Sequence, residues 1–299
     1  ISDEVWNKFG SRKLSLKQYE YLKKEIKESY TNNTWYPSAG TMVGKNLENV
    51  NQIIDEIGIK NKKKNAVIFP HIFWDGTFFY GEDLFSGYEK WYEETLKYAE
   101  KNKKINWIIK AHPSNQTKNI QDNAKENKFE PEYRKIIQLF GKVPENFYYI
   151  SSKSKINTFY LLNMLDYCIT VRGTVAIEAG MRGKVVITAG TGRYDNKGFT
   201  NNFMNLKDYK YVITNLENFE SNLKNVELSA NNFAYLSFIC KNFVPNNFKF
   251  SYTSDLKSSL LYHQGHNENL INNDEEIIDW FSKLSEDYFS DPCNEWHIN

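Results

Sequence analysis

The sequence predicts an α/β protein with a Rossmann-like, doubly wound parallel sheet, preceded by a helical segment and followed by a helical tail. Short apolar, β-branched runs alternate with amphipathic segments from Ala66 to Thr214, as strands and helices do in such a sheet. Glycine or proline closely follows most of these runs, which favours tight turns at strand ends. The stretch 166–199 is the clearest case, because a strand, a Gly-Thr turn, a short helix and a second strand follow one another in it.

The residues before the first predicted strand have a helical pattern. Residues 1–28 are rich in helix formers, and Ser15 with Gln18 has the spacing of a capping box. Asn46 is predicted to cap a second helix over 47–57, which Gly58 ends. No strand is predicted in 1–64, so this part of the chain does not resemble a complete domain.

The predicted sheet and its helices lie between 65 and 215. Strands are predicted at 66–70, 105–113, 147–150, 167–171, 185–188 and 208–214. Helices are predicted at 88–101, 132–140, 156–165 and 175–182. Thr174 is the predicted N-cap of the last of these helices, and Gly183 is the predicted turn residue after it. The tail from 216 onward is predicted to be mainly helical, most clearly at 229–240 and 274–288.

The composition excludes several classes of protein. Lys and Arg number 38 against 37 Asp and Glu, a net charge of +1, so no global field favours nucleic acid. Cys168, Cys240 and Cys293 lack C-x-x-C spacing, which argues against a disulfide framework or structural zinc and fits a reducing compartment. No apolar run approaches the ~20 residues of a membrane-spanning helix. The signatures H-E-x-x-H, G-x-S-x-G and GK[ST] are absent, and no metal site is predicted.

Polar and basic side chains follow the predicted strands. In a doubly wound sheet the ligand lies across the carboxyl ends of the strands. The residues that follow the strands in this way are His71, Asp75, Gly76, Lys110, His112, Ser151, Ser152, Lys153, Asn157, Arg172, Gly173, Thr174, Glu178, Arg193 and Tyr194. Their convergence on one edge predicts a crevice that binds a nucleotide.

Some of these residues suit a phosphate group. Backbone N–H groups at Gly173 and Thr174, at the start of a helix, favour an anion. Arg172 or His112 would add charge-assisted hydrogen bonds, each worth about 1.5–3 kcal/mol. Lys110 is a further candidate, although its place in the strand slightly favours a side chain that simply points outward to solvent.

Others suit the nucleoside. Glu178 can accept hydrogen bonds from the paired hydroxyls of a ribose, or it can be a solvated helix charge. Ser152 and Asn157 carry donors and acceptors for a base edge. Arg193 and Tyr194 follow the next strand, where they would bind the nucleotide or merely anchor a surface loop.

Two segments carry a resemblance to a known family. KAHPS at a strand end, together with VRGTVAIEAGMRGKVVITAGTGRYDNKGF, resembles the C-terminal, donor-binding domain of GT-B glycosyltransferases. More narrowly, it resembles bacterial capsule and surface-polysaccharide proteins of the KpsC/KpsS type. The resemblance implies that His112 contacts the donor phosphate, that Gly173 and Thr174 surround it, and that Glu178 binds the ribose. Asp75 is the one internal candidate for the general base.

The resemblance also implies an activity and a setting. It implies a metal-independent transferase without a cofactor, whose substrates are a nucleotide sugar and a glycan or glycolipid acceptor. A CMP-linked donor is favoured, and UDP- or CDP-linked donors stay open. The implied location is the cytoplasm, including the inner face of the inner membrane, with capsule-assembly proteins as partners.

One departure from the family keeps other functions open. GT-B enzymes carry a whole acceptor domain before the donor domain, whereas only 1–64 precede the first strand here. We therefore expect 1–64 to be the remnant or end of an acceptor domain, 65–215 the nucleotide-sugar-binding domain, and 216–299 a helical tail. The chain is then a fragment of a longer protein, or its acceptor half is reduced. A nucleotide-sugar epimerase, a CDP-dependent phosphotransferase and a non-catalytic nucleotide-binding or assembly module are the alternatives.

Overall fold

The structure is a computed structural model that describes residues 1–31, 45–73, 75, 81–115, 130–240, 248–252 and 258–262. The chain forms two compact units, one of Ile1–Gly40 with Asn231–Asn299 and one of Thr41–Ala230. The strands are β1 (Lys64–Ile68), β2 (Ile105–Lys110), β3 (Phe147–Ile150), β4 (Tyr167–Thr170), β5 (Val185–Ala189), β6 (Asn201–Phe203), β7 (Phe248–Tyr252) and β8 (Ser258–Tyr262). The helices are α1 (Asp3–Phe9), α2 (Leu16–Thr31), α3 (Val50–Ile57), α4 (Tyr88–Lys101), α5 (Pro131–Phe140), α6 (Thr158–Met164), α7 (Val175–Gly180), α8 (Leu206–Thr214) and α9 (Val226–Ala234).

The larger unit is built on a parallel sheet. Its strands lie in the order β3-β2-β1-β4-β5-β6, and every neighbouring pair is parallel. This is the doubly wound order, in which the direction of strand succession reverses between β1 and β4. The predicted Rossmann-like fold class is confirmed, and the reversal point marks where such sheets have their crevice.

Apolar side chains explain why the sheet holds its helices. Trp107 and Ile109 of β2 belong to a fully buried cluster that also contains Trp91 of α4. The Trp91 indole donates a hydrogen bond of 2.9 Å to the Tyr209 hydroxyl of α8, which lies 2.9 Å from the Thr95 hydroxyl. α4 and α8 therefore pack together through a satisfied polar contact inside an apolar cluster.

The strand predicted at 208–214 is wrong, because these residues form α8. The Asn205 side chain accepts hydrogen bonds from the backbone N–H groups of Lys207 and Asp208, at 2.8 and 3.4 Å, and so caps a helix. Tyr209, Val212 and Ile213 are buried at helical spacing. The β-branched residues suggested a strand, but the cap and the buried face favour a helix. The sixth strand is β6, a short polar segment that the sequence did not predict.

The N-terminal predictions are confirmed in part. The Ser15 N–H donates to Gln18 Oε1 at 2.8 Å and the Gln18 N–H donates to Ser15 Oγ at 3.2 Å, which is the predicted capping box at the start of α2. Gly58 ends α3 with φ +82°, as predicted. Asn46 is not the cap of α3, because the helix begins later and Asn49 accepts hydrogen bonds from its first turn.

The predicted tail falls partly on described residues. α9 and a π-helical turn, Tyr235–Ile239, cover most of the helix predicted at 229–240. β7 and β8 form an antiparallel pair that the sequence did not predict. The helix predicted at 274–288 lies outside the described residues.

Candidate functional site

His71 lies at the reversal point of the sheet, just beyond β1. Its ring stacks on Tyr88 with centroids 4.1 Å apart and planes 11° from parallel. Its Nε2 accepts a hydrogen bond of 3.2 Å from the Arg172 backbone N–H, beyond β4, and lies 3.3 Å from the Thr170 hydroxyl. Burial, with smaller contributions from the nearby His112 and Arg172, lowers the pKa of His71 to about 3. The ring is therefore neutral at pH 7 and joins the ends of β1 and β4.

The Arg172 side chain binds a loop of the protein. Its guanidinium donates to the Asp83 carboxylate and, at 3.3 Å, to the Glu82 backbone oxygen. The Thr191 N–H donates to the same oxygen at 2.9 Å, and the Glu82 N–H donates to the Thr191 hydroxyl at 2.6 Å. Residues 82–83 are thus held across the ends of β4 and β5. The predicted role of Arg172 as a phosphate ligand stays a prediction.

The turn between β4 and α7 differs from the predicted one. Thr174 occupies the predicted N-cap position of α7, but it has helical backbone angles, φ −57° and ψ −27°, and its side chain makes no capping hydrogen bond. α7 has six residues and ends at Gly180, earlier than predicted. Gly183 has φ +67° and lies in the turn before β5, as predicted.

The remaining side chains on this side of the site differ in burial. Glu178 of α7 is buried, so it is not a solvated helix charge. Tyr194 is fully buried, and its hydroxyl donates to the Gly173 backbone oxygen at 3.1 Å, which holds the turn after β4. Arg193 and Asp75 are exposed. Gly76 lies outside the described residues.

Lys110 ends β2 and is buried with 4 % of its surface exposed, so the interpretation that it points outward to solvent is wrong. Its Nζ donates to the Ala111 backbone oxygen at 3.4 Å, a weak hydrogen bond. Burial is the main cause that lowers the pKa of Lys110 to about 7. The positive charge of Lys45 acts in the same direction, and the charges of Glu130 and Glu132 oppose it. Lys110 therefore changes charge near neutral pH.

Ser152 and Asn157 help to fix the turn 151–157. The Ser152 N–H and hydroxyl both donate to Glu130 Oε1 at 2.9 Å, and the Lys45 ammonium donates to the backbone oxygens of Ser152 and Ser154. Asn157 caps α6 and donates from its side chain to the Lys45 backbone oxygen at 3.2 Å. Both side chains are buried in these contacts, and their binding of a base edge stays a prediction.

His112 begins a tightly bonded turn beyond β2. Its backbone N–H donates to Glu132 Oε1 at 3.1 Å, and its Nδ1 accepts from the Ser114 N–H at 3.2 Å. Burial, with a smaller contribution from the charge of Lys110, lowers the pKa of His112 to about 4. A neutral ring whose Nδ1 accepts a hydrogen bond carries its proton on Nε2. His112 is therefore a neutral Nε2–H donor at pH 7, and a hydrogen bond from it to an ionised phosphate would be charge-assisted through the acceptor alone.

The sequence did not identify four partners of these residues: Lys45, Asp83, Glu130 and Glu132. Glu130 and Glu132 flank Pro131, a common residue at a helix start, and the helix predicted at 132–140 begins within one residue of α5. Their contacts with the ends of β2 and β3 are tertiary and leave no local pattern.

A cavity of about 430 Å³ lies at the opposite, amino-terminal edge of the sheet. Lys64, Asp166, Lys184 and Phe219 are among the residues that line it. None of the predicted site residues lines this cavity, which lies at the edge opposite the predicted crevice.

Within the ranges that the structure describes, no three His, Cys, Asp or Glu side chains are grouped so that they could hold a metal ion. Among the same residues, no helix is both long enough and apolar enough to span a bilayer.

Comparison with known proteins finds likeness only among solved structures. No protein-family model and no curated protein matches the chain. A UDP-GlcNAc 2-epimerase from Neisseria meningitidis bound to UDP-GlcNAc matches with 15% identity and a TM-score of 0.37, over 68% of this chain and 52% of that one. A glycosyltransferase from Rickettsia africae matches with 13% identity and a TM-score of 0.36, over 66% and 50%. Thermosulfurimonas dismutans KpsC, a beta Kdo 2,4 transferase, matches with 16% identity and a TM-score of 0.32, over 63% and 59%. The chain spans about half the length of these solved chains.

Proposed function

We propose that the larger unit binds the nucleotide of an activated sugar at the carboxyl edge of its sheet. In this proposal the unit is the donor-binding half of a glycosyltransferase that acts on a glycan or glycolipid in surface-polysaccharide assembly. The observation that carries it is the His112 ring, held as a neutral Nε2–H donor at a strand end beside the reversal point. A neutral imidazole N–H can donate a hydrogen bond to a phosphate oxygen.

Lys110 strengthens the case for an anion at this edge. Its side chain is buried, and its positive charge contributes to lowering the pKa of His112. A bound phosphate would favour the protonated form of Lys110 and so raise its pKa above about 7. Binding of the nucleotide is then coupled to proton uptake near neutral pH.

The transfer step follows from these roles. An acceptor hydroxyl oxygen forms a bond to the anomeric carbon of the sugar while the bond from that carbon to the phosphate oxygen breaks. The nucleotide leaves with the electron pair, and His112 donates a hydrogen bond to the developing phosphate charge. The hydroxyl proton passes to a base, for which Asp75 remains our candidate. The resemblance of KAHPS and the segment 171–199 to capsule proteins of the KpsC/KpsS type favours a CMP-linked sugar as the donor.

Calorimetric titration of the protein with CMP, CDP and UDP tests the proposal. We expect one nucleotide to bind, and His112→Ala to weaken its binding about 10- to 150-fold, as for a hydrogen bond of about 1.5–3 kcal/mol to a charged group. Lys184→Ala, at the opposite edge of the sheet, is the control and should leave the affinity unchanged. If none of the three nucleotides binds the wild-type protein, the proposal fails.

A second assay addresses the reaction class. The protein is incubated with the nucleotide sugar alone and then with an added glycolipid acceptor. Transfer requires the acceptor, so a product should appear only in its presence. If an epimer forms from the nucleotide sugar alone, the activity is epimerisation on the same scaffold and not glycosyl transfer.

A further inference from the structure

We propose that Glu132 is a positioning residue that fixes the orientation and tautomer of His112 through the turn 112–115. Its consequence for ligand binding rests on the proposed function, whereas its effect on the His112 ring can be measured without any ligand. Glu132 lies in the first turn of α5, twenty positions along the chain from His112, and only 1 % of its surface is exposed.

The Glu132 carboxylate uses both oxygens to hold this turn. Oε1 accepts the His112 backbone N–H at 3.1 Å, and Oε2 accepts the Asn115 side-chain amide at 2.7 Å. The Asn115 N–H in turn donates to the His112 backbone oxygen at 3.1 Å. The two ends of the turn are therefore bonded to one buried side chain as well as to each other.

The turn sets the chemistry of the ring. Because residues 112 and 115 are fixed, the Ser114 N–H between them lies 3.2 Å from His112 Nδ1 and donates to it. That bond selects the tautomer with the proton on Nε2. Without Glu132, the partly buried N–H of His112 and the buried side-chain amide of Asn115 would lose their acceptor, and the turn would rearrange to find others.

The neighbouring atoms supply a matched variant. Asn115 Oδ1 is buried and makes no hydrogen bond with the described residues. In Glu132→Gln, the side-chain oxygen of the glutamine can still accept the His112 N–H. The glutamine NH₂ group can donate to Asn115 Oδ1 once the Asn115 side-chain amide has rotated. Glu132→Gln therefore keeps the hydrogen-bond pattern and removes the charge, whereas Glu132→Ala removes both.

Nitrogen NMR of histidine-labelled protein reads the ring directly. The chain has five histidines, and the His112 signals are assigned by their loss in His112→Gln. We expect wild type and Glu132→Gln to show the Nε2-protonated tautomer with a pKa near 4, and Glu132→Ala to show mixed tautomers with a pKa moved toward 6.5. Glu89→Ala, at the exposed first turn of α4, is the control and should resemble wild type. A wild-type-like ring in Glu132→Ala would overturn the proposal.

A wild-type measurement keeps the proposal testable if Glu132→Ala does not fold. The amide proton of His112 donates to the Glu132 carboxylate, whose pKa burial raises above its usual value. We expect the His112 amide shift to follow the titration of that carboxylate, and the amide to be protected from exchange. An unprotected His112 amide that does not titrate would contradict the geometry.

Nucleotide titration then separates the two proposals. If both hold, Glu132→Ala weakens nucleotide binding as much as His112→Ala does, and the double variant is less than twofold weaker than either. If the ring responds as expected but wild type binds no nucleotide, only the proposed function fails. Full-affinity binding by Glu132→Ala with an altered ring would confirm that Glu132 positions the ring and would overturn the consequence inferred for ligand binding.

Discussion

The close approach between Gly190 and the backbone of Glu82 provides the sharpest test of the loop arrangement at the strand ends. Gly190 has φ +97°, and a methyl group added there would lie 2.5 Å from the Glu82 oxygen and 3.2 Å from the Leu84 nitrogen. Gly58 has φ +82° with no atom within 4 Å of the same added methyl group. The two glycines thus share a left-handed backbone and differ in whether anything occupies the space beside it.

Alanine at the two positions should therefore have different effects. Gly58→Ala carries the left-handed penalty alone, about 1–2 kcal/mol. Gly190→Ala adds an overpacking penalty of about 1–3 kcal/mol, because its neighbour is backbone and cannot rotate away. We expect the unfolding free energy of Gly190→Ala to fall below that of Gly58→Ala by at least about 1 kcal/mol.

Urea denaturation followed by circular dichroism measures the two unfolding free energies, provided that the slopes of free energy against urea concentration agree between the variants. Hydrogen exchange gives the local result. The Thr191 amide, which donates to the Glu82 oxygen, should lose protection in Gly190→Ala and keep it in Gly58→Ala. Equal unfolding free energies, with Thr191 protected in both variants, would refute the close approach of the two segments.

Three further predictions concern buried charges and a cap. The pKa of Lys110 is near 10.4 in the unfolded chain and about 7 in the folded protein. The unfolding free energy of wild type, relative to that of Lys110→Met, should therefore rise by about 2–3 kcal/mol between pH 6 and 9. Unfolding free energies that change in parallel with pH in the two proteins would contradict this. For His71 the folded pKa of about 3 lies below the unfolded 6.5, so its stabilisation is present above pH 6.5 and falls by about 2–3 kcal/mol at pH 4.5. His71→Gln should not show that part of the acid sensitivity in the same assay. Asn49→Ala should cost about 1 kcal/mol of unfolding free energy and Asn46→Ala less than about 0.5, and the reverse order would make Asn46 the cap.

The sheet could be predicted because most of its strands are recognisable from their own short stretch of sequence. Buried parallel strands are continuous apolar runs, and those of β1 to β5 lie between glycine, proline or polar turns. α8 was misjudged because its β-branched residues suit a strand as well as a buried helix face, and β6 was missed because Asn201 and Asn202 are polar. Local composition does not decide between these states when tertiary packing selects one.

The strand ends could also be predicted, but not what holds them. His71, His112 and Arg172 follow strands and so had to lie at one edge of the sheet. The groups that orient them, such as Glu132, are distant in sequence and show no spacing that relates them to a strand end. The charge states could not be predicted either, because burial, which lowers the pKa of both histidines, depends on the folded surroundings.

Arg172 has a consequence for how mutations at this edge are interpreted. Its backbone N–H donates to His71 and its guanidinium donates to Asp83, so a single residue contacts both of these positions after β1. An alanine scan would record Arg172→Ala as a loss of ligand affinity even if the guanidinium never touches the ligand. Asp83→Asn distinguishes the two cases, because it loosens the guanidinium anchor while leaving the arginine in place. If that variant reproduces the loss, Arg172 acts by holding Asp83 in place and not as a phosphate ligand.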